Sequence, residues 1–387
     1  MSNYEAAPAD RFSFGLWTVG HRGHDPFGPA TRPPIEPEAI VGHLAEAGAW
    51  GVTLHDEDLV PFGSPAAERD RIVSRFKAAV EANGLCVPMT TVNLFGQPAF
   101  KDGALTAADP KVRRFALRKA IEAIDLGAEL GASTFVLWGG REGADSSAAR
   151  DPVAALERYR EGVDFLCEYI RSQRLPTRIA LEAKPNEPRS QIYLPTTGSM
   201  LHFIERLAHP EMVGVNPELA HEAMAGLSFH HALAEALWAD KLFHVDLNAQ
   251  CGPRYDQDFR FGSEDLKEAF LVVRLLEDSG YEGPRHFDCR AYRTEDDAAV
   301  YEWFAKGCMR NYRILREKAA RWAADEELTN AVEAAGGARQ RVPTPAFSEA
   351  ERQALADEDF GEVTRRDAGI GHERADQLML ELIYGVR

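Results

Sequence analysis

The chain has 387 residues, enough for one large α/β barrel with an appendage or for two ordinary domains. Its 45% hydrophobic content is that of a globular protein. Its formal net charge of −17 argues against a nucleic-acid backbone or an anionic membrane as the main partner, and suits a protein that gathers cations. In chain order, MSNYEAAPADRF lacks the basic and apolar regions of a signal peptide, and no run of eighteen apolar residues follows, so a cytoplasmic protein without a membrane span is expected. Eight short apolar or β-branched runs then recur: FSFGLWTV (12–19), AWGVTLH (49–55), LCVPMTTV (85–92), STFVLW (133–138), RIALEA (178–183), MVGVN (212–216), KLFHVDL (241–247) and RHFDC (285–289).

Helical patterns fill most of the intervals. Tyr159, Val163, Leu166 and Ile170 recur at helical spacing within 157–173. Leu266, Ala269, Val273 and Leu276 do so after Ser263, with Gly280 as the stop. Strand starts advance by about 39 residues per unit, which suits βα units carrying functional loops. The expected fold is a (β/α)8 TIM barrel over residues 1–325 with a C-terminal helical arm over 326–387. No GxGxxG follows a strand and no P-loop occurs, so nucleotide-binding readings lose their main support. The arm contains Gly336–Gly337 and the PTP of 343–345, and is poor in apolar residues. It reads either as a docking arm that wraps a neighbouring subunit or as a loose tail. The five cysteines are odd in number and show no CxxC spacing, which points to reduced thiols. Cys289 is expected to pack on the face opposite its neighbour Asp288.

Acidic residues gather at the ends of the predicted strands. Glu182, Glu218, Asp246 and Asp288 end four of them, His221 follows Glu218 by three, and Asp256 and Asp258 are spaced i, i+2. In a parallel barrel these ends share one mouth. Any single one could be a helix cap or a solvated loop residue. So many together need neutralising, and oxygen-rich ligation with one imidazole suits Mg²⁺, Mn²⁺ or Co²⁺ better than structural Zn²⁺. The acids outnumber the needs of one ion, and Glu218 is placed to bridge two. His55 with Asp58 three residues on forms a candidate acid/base pair. Lys184, two residues past Glu182, should project to the same side, next to a substrate oxygen. Trp17, Trp138 and Phe27 lie at or after strand ends, where aromatic planes stack on sugar C–H faces or simply pack the core.

Taken together, FSFGLWTVG, DPFG, VTLHDEDLVPFGS, FVLWGGREGA, KPNEPR, NPE..HE.MAGL, ALWADKLFHVDLN, YDQD.RFG, GPRHFD and RTED resemble the xylose (glucose) isomerase family, in its shorter actinobacterial class. The resemblance runs from near the N-terminus to beyond residue 310, and is looser in the tail. It implies two divalent cations per subunit, Mg²⁺ first among them. One would be held by Glu182, Glu218, Asp246 and Asp288, the other by Glu218, His221, Asp256 and Asp258. It implies that His55, oriented by Asp58, assists ring opening and that Lys184 polarises the carbonyl end of the open chain. Trp17, Trp138 and Thr91 would line the sugar pocket, and Phe27, beside Asp25, would enter from a neighbouring subunit. The implied protein is a homotetramer with shared sites. Its implied reaction converts D-xylose to D-xylulose, and D-glucose to D-fructose, by a 1,2-hydride shift. A related isomerase or epimerase, a metal-dependent nuclease and a non-catalytic sugar-binding protein are the alternatives. The charge balance and the shortage of histidine ligands disfavour the nuclease.

The chain departs from the family pattern at its pocket edge. His21 stands where tryptophan is usual, Arg290 replaces a lysine, Ala291–Tyr292 replace prolines, Ala183 replaces a proline and Val92 a threonine. Arginine keeps the charge but is longer and planar, so metal affinity and substrate preference near Arg290 are the properties most exposed to change.

Overall fold

Alternation along single strands decides which residues enter the barrel. On Thr134–Trp138, Phe135 and Leu137 join the large core cluster with the helices, whereas Val136 belongs to a small inner cluster. On Arg178–Glu182, Ile179 and Leu181 face the same helices, and Ala180 joins Val136, Met89 and Phe243 inside. A period of two therefore carries Trp138 and Glu182 to the inner face at the last strand position, where they are register partners.

In a computed structural model that describes residues 4–337, 343–364 and 369–387, seven parallel strands form one curled sheet. Their order is Val213–Val215, Arg178–Glu182, Thr134–Trp138, Met89–Thr91, Gly51–His55, Phe12–Gly15 and Arg285–Phe287. This is the expected TIM barrel with one difference. The 241–247 run is not a ladder strand. It closes the gap between Val213–Val215 and Arg285–Phe287 through isolated bridges, Val215 with Leu242 and Asp246 with His286. Phe243 joins the inner cluster and Asp246 reaches the mouth, three residues on, a spacing that regular alternation does not allow. The other strands are shorter than their apolar runs. The first stops at Gly15, where a helical turn, Leu16–Val19, takes over, and the third begins only after Pro88.

Local chemistry sets the helix ends. Asp109 and Asp151 cap Pro110–Leu130 and Pro152–Gln173, accepting from the backbone N–H of Lys111 and Ala154, with proline at the first helical position of each. Gly131 closes the former at φ 86°, the left-handed C-terminal position that favours glycine. Leu266–Asp278 ends just before Gly280, as its pattern predicts.

The chain divides into one compact unit ending at Leu315 and a second beginning at Arg316. In the second, the Glu326–Ala334 and His372–Tyr384 helices pack on one another and bury Leu328, Leu378, Leu382 and Ile383. Arg387 pairs there with Asp325, Glu327 and Glu381. Among the described residues, no helix is long and apolar enough to cross a membrane.

Candidate functional site

The strand ends meet as their positions predict. Glu182, Glu218, His221, Asp246, Asp256, Asp258 and Asp288 all line one cavity of about 510 Å³ at the barrel mouth. Among the described residues, four groups can each bring ligand atoms within 4.8 Å of one another: His244 with Asp246 and His286, and three that share Glu218, namely Glu182 with Glu218 and His221, Glu218 with Asp246 and Asp288, and Glu218 with Asp256 and Asp258. Asp256 and Asp258, two apart in sequence, do not reach the cavity by strand alternation. The φ of Asp258 is 48°, so Asp256–Asp258 is not locally extended.

Charge is badly balanced in this volume. Burial, then the charges of Asp246 and Asp288, push Glu182 well above the ordinary carboxyl range. Burial, then Asp256 and Asp288, do the same to Glu218, and burial with Asp256 raises Asp258. Asp288 rises to about 6, through burial and then Asp246. Against burial, His286 and His244 hold Asp246 below the usual range, and Lys184 and His221 do so for Asp256. Carboxyls driven towards neutrality mark a site short of positive charge. Two further atoms fit a cation. Asp256 Oδ1 is buried with no hydrogen-bond partner among the described residues. His221 Nδ1 lies 3.1 Å from Glu218 Oε2 and 3.6 Å from Glu182 Oε1 without the geometry of a hydrogen bond. An oxygen-rich donor set with one imidazole can hold hard divalent cations.

The remaining predicted residues divide by position. His55 Nδ1 is 3.0 Å from Asp58 Oδ2, which also accepts from the His55 backbone N–H at 2.7 Å. Lys184 is buried rather than on the surface, donating to Asp256 Oδ2 at 2.6 Å, with Nζ 5.3 Å from the Trp138 ring centroid. Trp17 lines the cavity, donates from Nε1 to Asp288 Oδ1 at 2.9 Å, and meets the His55 ring edge-on at 4.5 Å. Thr91 and Trp138 also line it, and Thr91 Oγ1 and Trp138 Nε1 are buried without partners among the described residues. Phe27 is the exception. It is 99% exposed, on a tight turn where Asp25 and Gly28 bridge, and it does not reach this chain's own cavity.

A sequence profile of the xylose isomerase-like TIM barrel family matches residues 41–312. The xylose isomerase of Thermus thermophilus is 52% identical over 386 residues, covering 99% of this chain and all of that protein. The xylose isomerase of Thermus caldophilus is equally similar, over 388 residues. The chain belongs to the xylose isomerase family. Solved structures related at lower identity carry the fold. An L-ribulose 3-epimerase aligns with TM-score 0.57 and 17% identity, covering 86% of this chain and 99% of its own. A D-tagatose 3-epimerase-like protein aligns with TM-score 0.59 and 14% identity, covering 80% and 99%.

Within this xylose isomerase fold, several site residues escape a search for acids and strand-end histidines. Asn216 donates to Glu182 Oε2 at 3.0 Å and Asp246 Oδ2 at 2.7 Å, and Asn248 donates to Glu218 Oε1 at 2.7 Å. His286 Nδ1 lies 2.6 Å from Asp246 Oδ1. Phe95 bridges the walls, edge-on to Trp138 at 4.9 Å and to His55 at 5.6 Å. The signal was available in part. Asn216 and Asn248 lie within two residues of a named acid, and His286 shares strand parity with Asp288. Phe95 lies four residues past Thr91 in an irregular loop, where no periodicity applies.

Of the departures, His21 and Arg290 line the cavity, whereas Val92 and Ala183 are buried in the large core cluster. His21 stacks on His24 at 4.6 Å, and its Nδ1 accepts the Gly23 N–H at 3.1 Å. Burial and then the Arg290 charge push it down to about 3, so it is neutral at physiological pH. Arg290 pairs with Asp258. Cys289 is buried with Cys308, their Sγ atoms 3.6 Å apart as free thiols, and burial pushes Cys289 upward. Its burial matches the packing role predicted for it, but it lines the same cavity as Asp288 and so does not lie wholly on the opposite face.

Proposed function

We propose that this protein, a sugar isomerase by family, converts D-xylose to D-xylulose and acts on D-glucose as a second substrate. The observation that carries this reading is a charge-deficient cluster of six acids and one imidazole beneath a cavity walled by Trp17, Trp138 and Phe95. Two divalent cations, Mg²⁺ foremost, would bind in that cluster, and when bound they supply positive charge facing the sugar's oxygens. Glu182, Glu218, Asp246 and Asp288 would hold one. Glu218, His221, Asp256 and Asp258 would hold the other.

The chain's own groups then do the following. Trp17 and Trp138 stack on the C–H faces of the ring and exclude water. His55, its tautomer set by Asp58, takes the anomeric O1 hydroxyl proton as the C1–O5 bond breaks, and that proton passes on to the departing ring oxygen. Lys184 donates to the carbonyl oxygen O1 and offsets the charge that builds there as hydrogen passes from C2 to C1 as hydride; the O2 hydroxyl gives up its proton as C2 becomes the carbonyl, and O1 takes one up from water. Thr91 Oγ1 has no hydrogen-bond partner among the described residues and is placed to meet a substrate hydroxyl. Phe27 is fully solvent-facing in one chain, and Asp25 Oδ1 fixes its turn by accepting the Phe27 N–H at 2.8 Å. This supports a homotetramer in which each Phe27 closes a neighbour's cavity. Residues 326–387 would form the arm that wraps that neighbour, consistent with the exposed Phe347, Val363 and Ile370.

The test is conversion of xylose in Mg²⁺, repeated after EDTA and after metal add-back, with the product made in D₂O. Conversion that vanishes and returns with the metal, and xylulose almost free of deuterium at C1, are expected. Metal-independent turnover, or extensive deuterium at C1 through an enediol, overturns the reading. A product epimerised at C3 assigns the chain to epimerase chemistry instead.

A further inference from the structure

Each aspartate of the Asp256/Asp258 pair is already held by a cationic side chain. Lys184 Nζ donates to Asp256 Oδ2 at 2.6 Å, and the guanidinium of the half-buried Arg290 donates to Asp258 Oδ2. The Arg290 backbone N–H also donates to Asp258 O at 3.0 Å. One residue thus fastens both the side chain and the main chain of an aspartate whose φ of 48° is unfavourable outside glycine. The other acids have gentler partners. Glu182 and Glu218 accept from asparagine amides, Asp246 from Asn216 beside His286, and Asp288 from the Trp17 indole. A fixed positive charge therefore sits on one side of the cluster only. Arginine cannot shed its proton, and its planar fork is less free to swing away than the lysine usual at this position.

We propose that Arg290 is a resident counter-cation that holds Asp258 in place before a divalent ion binds and lowers the affinity of the Asp256/Asp258 side for that ion. This rests on the two-cation reading above. The guanidinium occupies a carboxylate oxygen of Asp258 that a cation would otherwise share, and its charge would oppose an ion held by the same carboxylate. The acids on the far side of Glu218 feel it less.

The experiment is calorimetric titration of the full-length, metal-free protein with Mn²⁺, for wild type, Arg290→Gln and Arg290→Lys, beside thermal unfolding of each metal-free form. Arg290→Gln is expected to bind one of two ions about tenfold tighter, leave the other within about twofold, and unfold at a lower temperature without metal. Arg290→Lys is expected to fall between it and wild type in affinity, and it carries the test alone if the glutamine variant does not fold. Unchanged or weaker binding in the variants overturns the proposal, because Arg290 would then position Asp258 for the ion instead of opposing it. Fewer than two ions on wild type overturns the two-cation reading itself.

Discussion

At the residue scale, His55 shows how two opposed effects settle. Burial works against a charged imidazole, but the Asp58 carboxylate at 3.0 Å, helped by Asp288 and Asp56, holds His55 above its ordinary 6.5. In the proposed role His55 must be neutral to act as a base, so activity should fall as pH drops through that raised value. Asp58→Asn removes the main raising influence, and the His55 pKa then falls. The acidic limb of kcat should move to lower pH, with the maximum reduced by roughly tenfold or more as orientation is lost. Profiles of both proteins at saturating Mg²⁺ check this, and coincident acidic limbs would remove His55 from the role. Both residues were legible from LHDED alone. The pairing of Arg290 with Asp258 was not, because residues 32 apart in sequence meet only through the turn that puts Asp258 in the left-handed region.

At the element scale, the seventh barrel position shows where pattern reading stops. KLFHVDL has the composition of a strand, yet it bridges its neighbours at single points. Part of the cause lies in its neighbour. Gly214, mid-strand, has no side chain, and a Cβ there would stand 2.4 Å from Phe243 Cγ and 2.5 Å from Lys241 O. Phe243 fills the space that a side chain on Gly214 would need. Gly214→Ala should therefore overpack this joint by about 1–3 kcal/mol and lower the thermal unfolding midpoint by a few degrees. Calorimetry of the two proteins decides it, and identical midpoints would mean that the joint relaxes freely. The same joint aims Asp246 at the mouth, so the variant should also bind Mg²⁺ more weakly.

At the scale of the whole molecule, a single chain leaves its cavity without the aromatic at position 27. A 99% exposed phenylalanine on a pinned turn is costly to leave in water, and the proposed homotetramer would cover it with a neighbouring subunit. Mixing tests this without a structure of the assembly. Phe27→Ala should keep the cation cluster yet lose about tenfold or more in kcat/KM, and Lys184→Met should be nearly inactive. Dissociated and reassembled together, the two variants should regain activity above the sum of the parts, because some cavities would combine an intact Lys184 with a neighbour's Phe27. Strictly additive activity would place both residues in one subunit's site.

The sequence by itself determined the barrel class, the inward set of each regular strand and the identity of the acids at the mouth. These follow from periodicity and residue chemistry, which are local and repeat along the chain. The tertiary structure alone decided the closure at Leu242–Asp246, the amide and imidazole partners Asn216, Asn248 and His286, and the uneven placing of Lys184 and Arg290 around the carboxylates. Those depend on distances between residues remote in sequence and on burial, which turns a list of acids into a site whose carboxyls are driven towards neutrality.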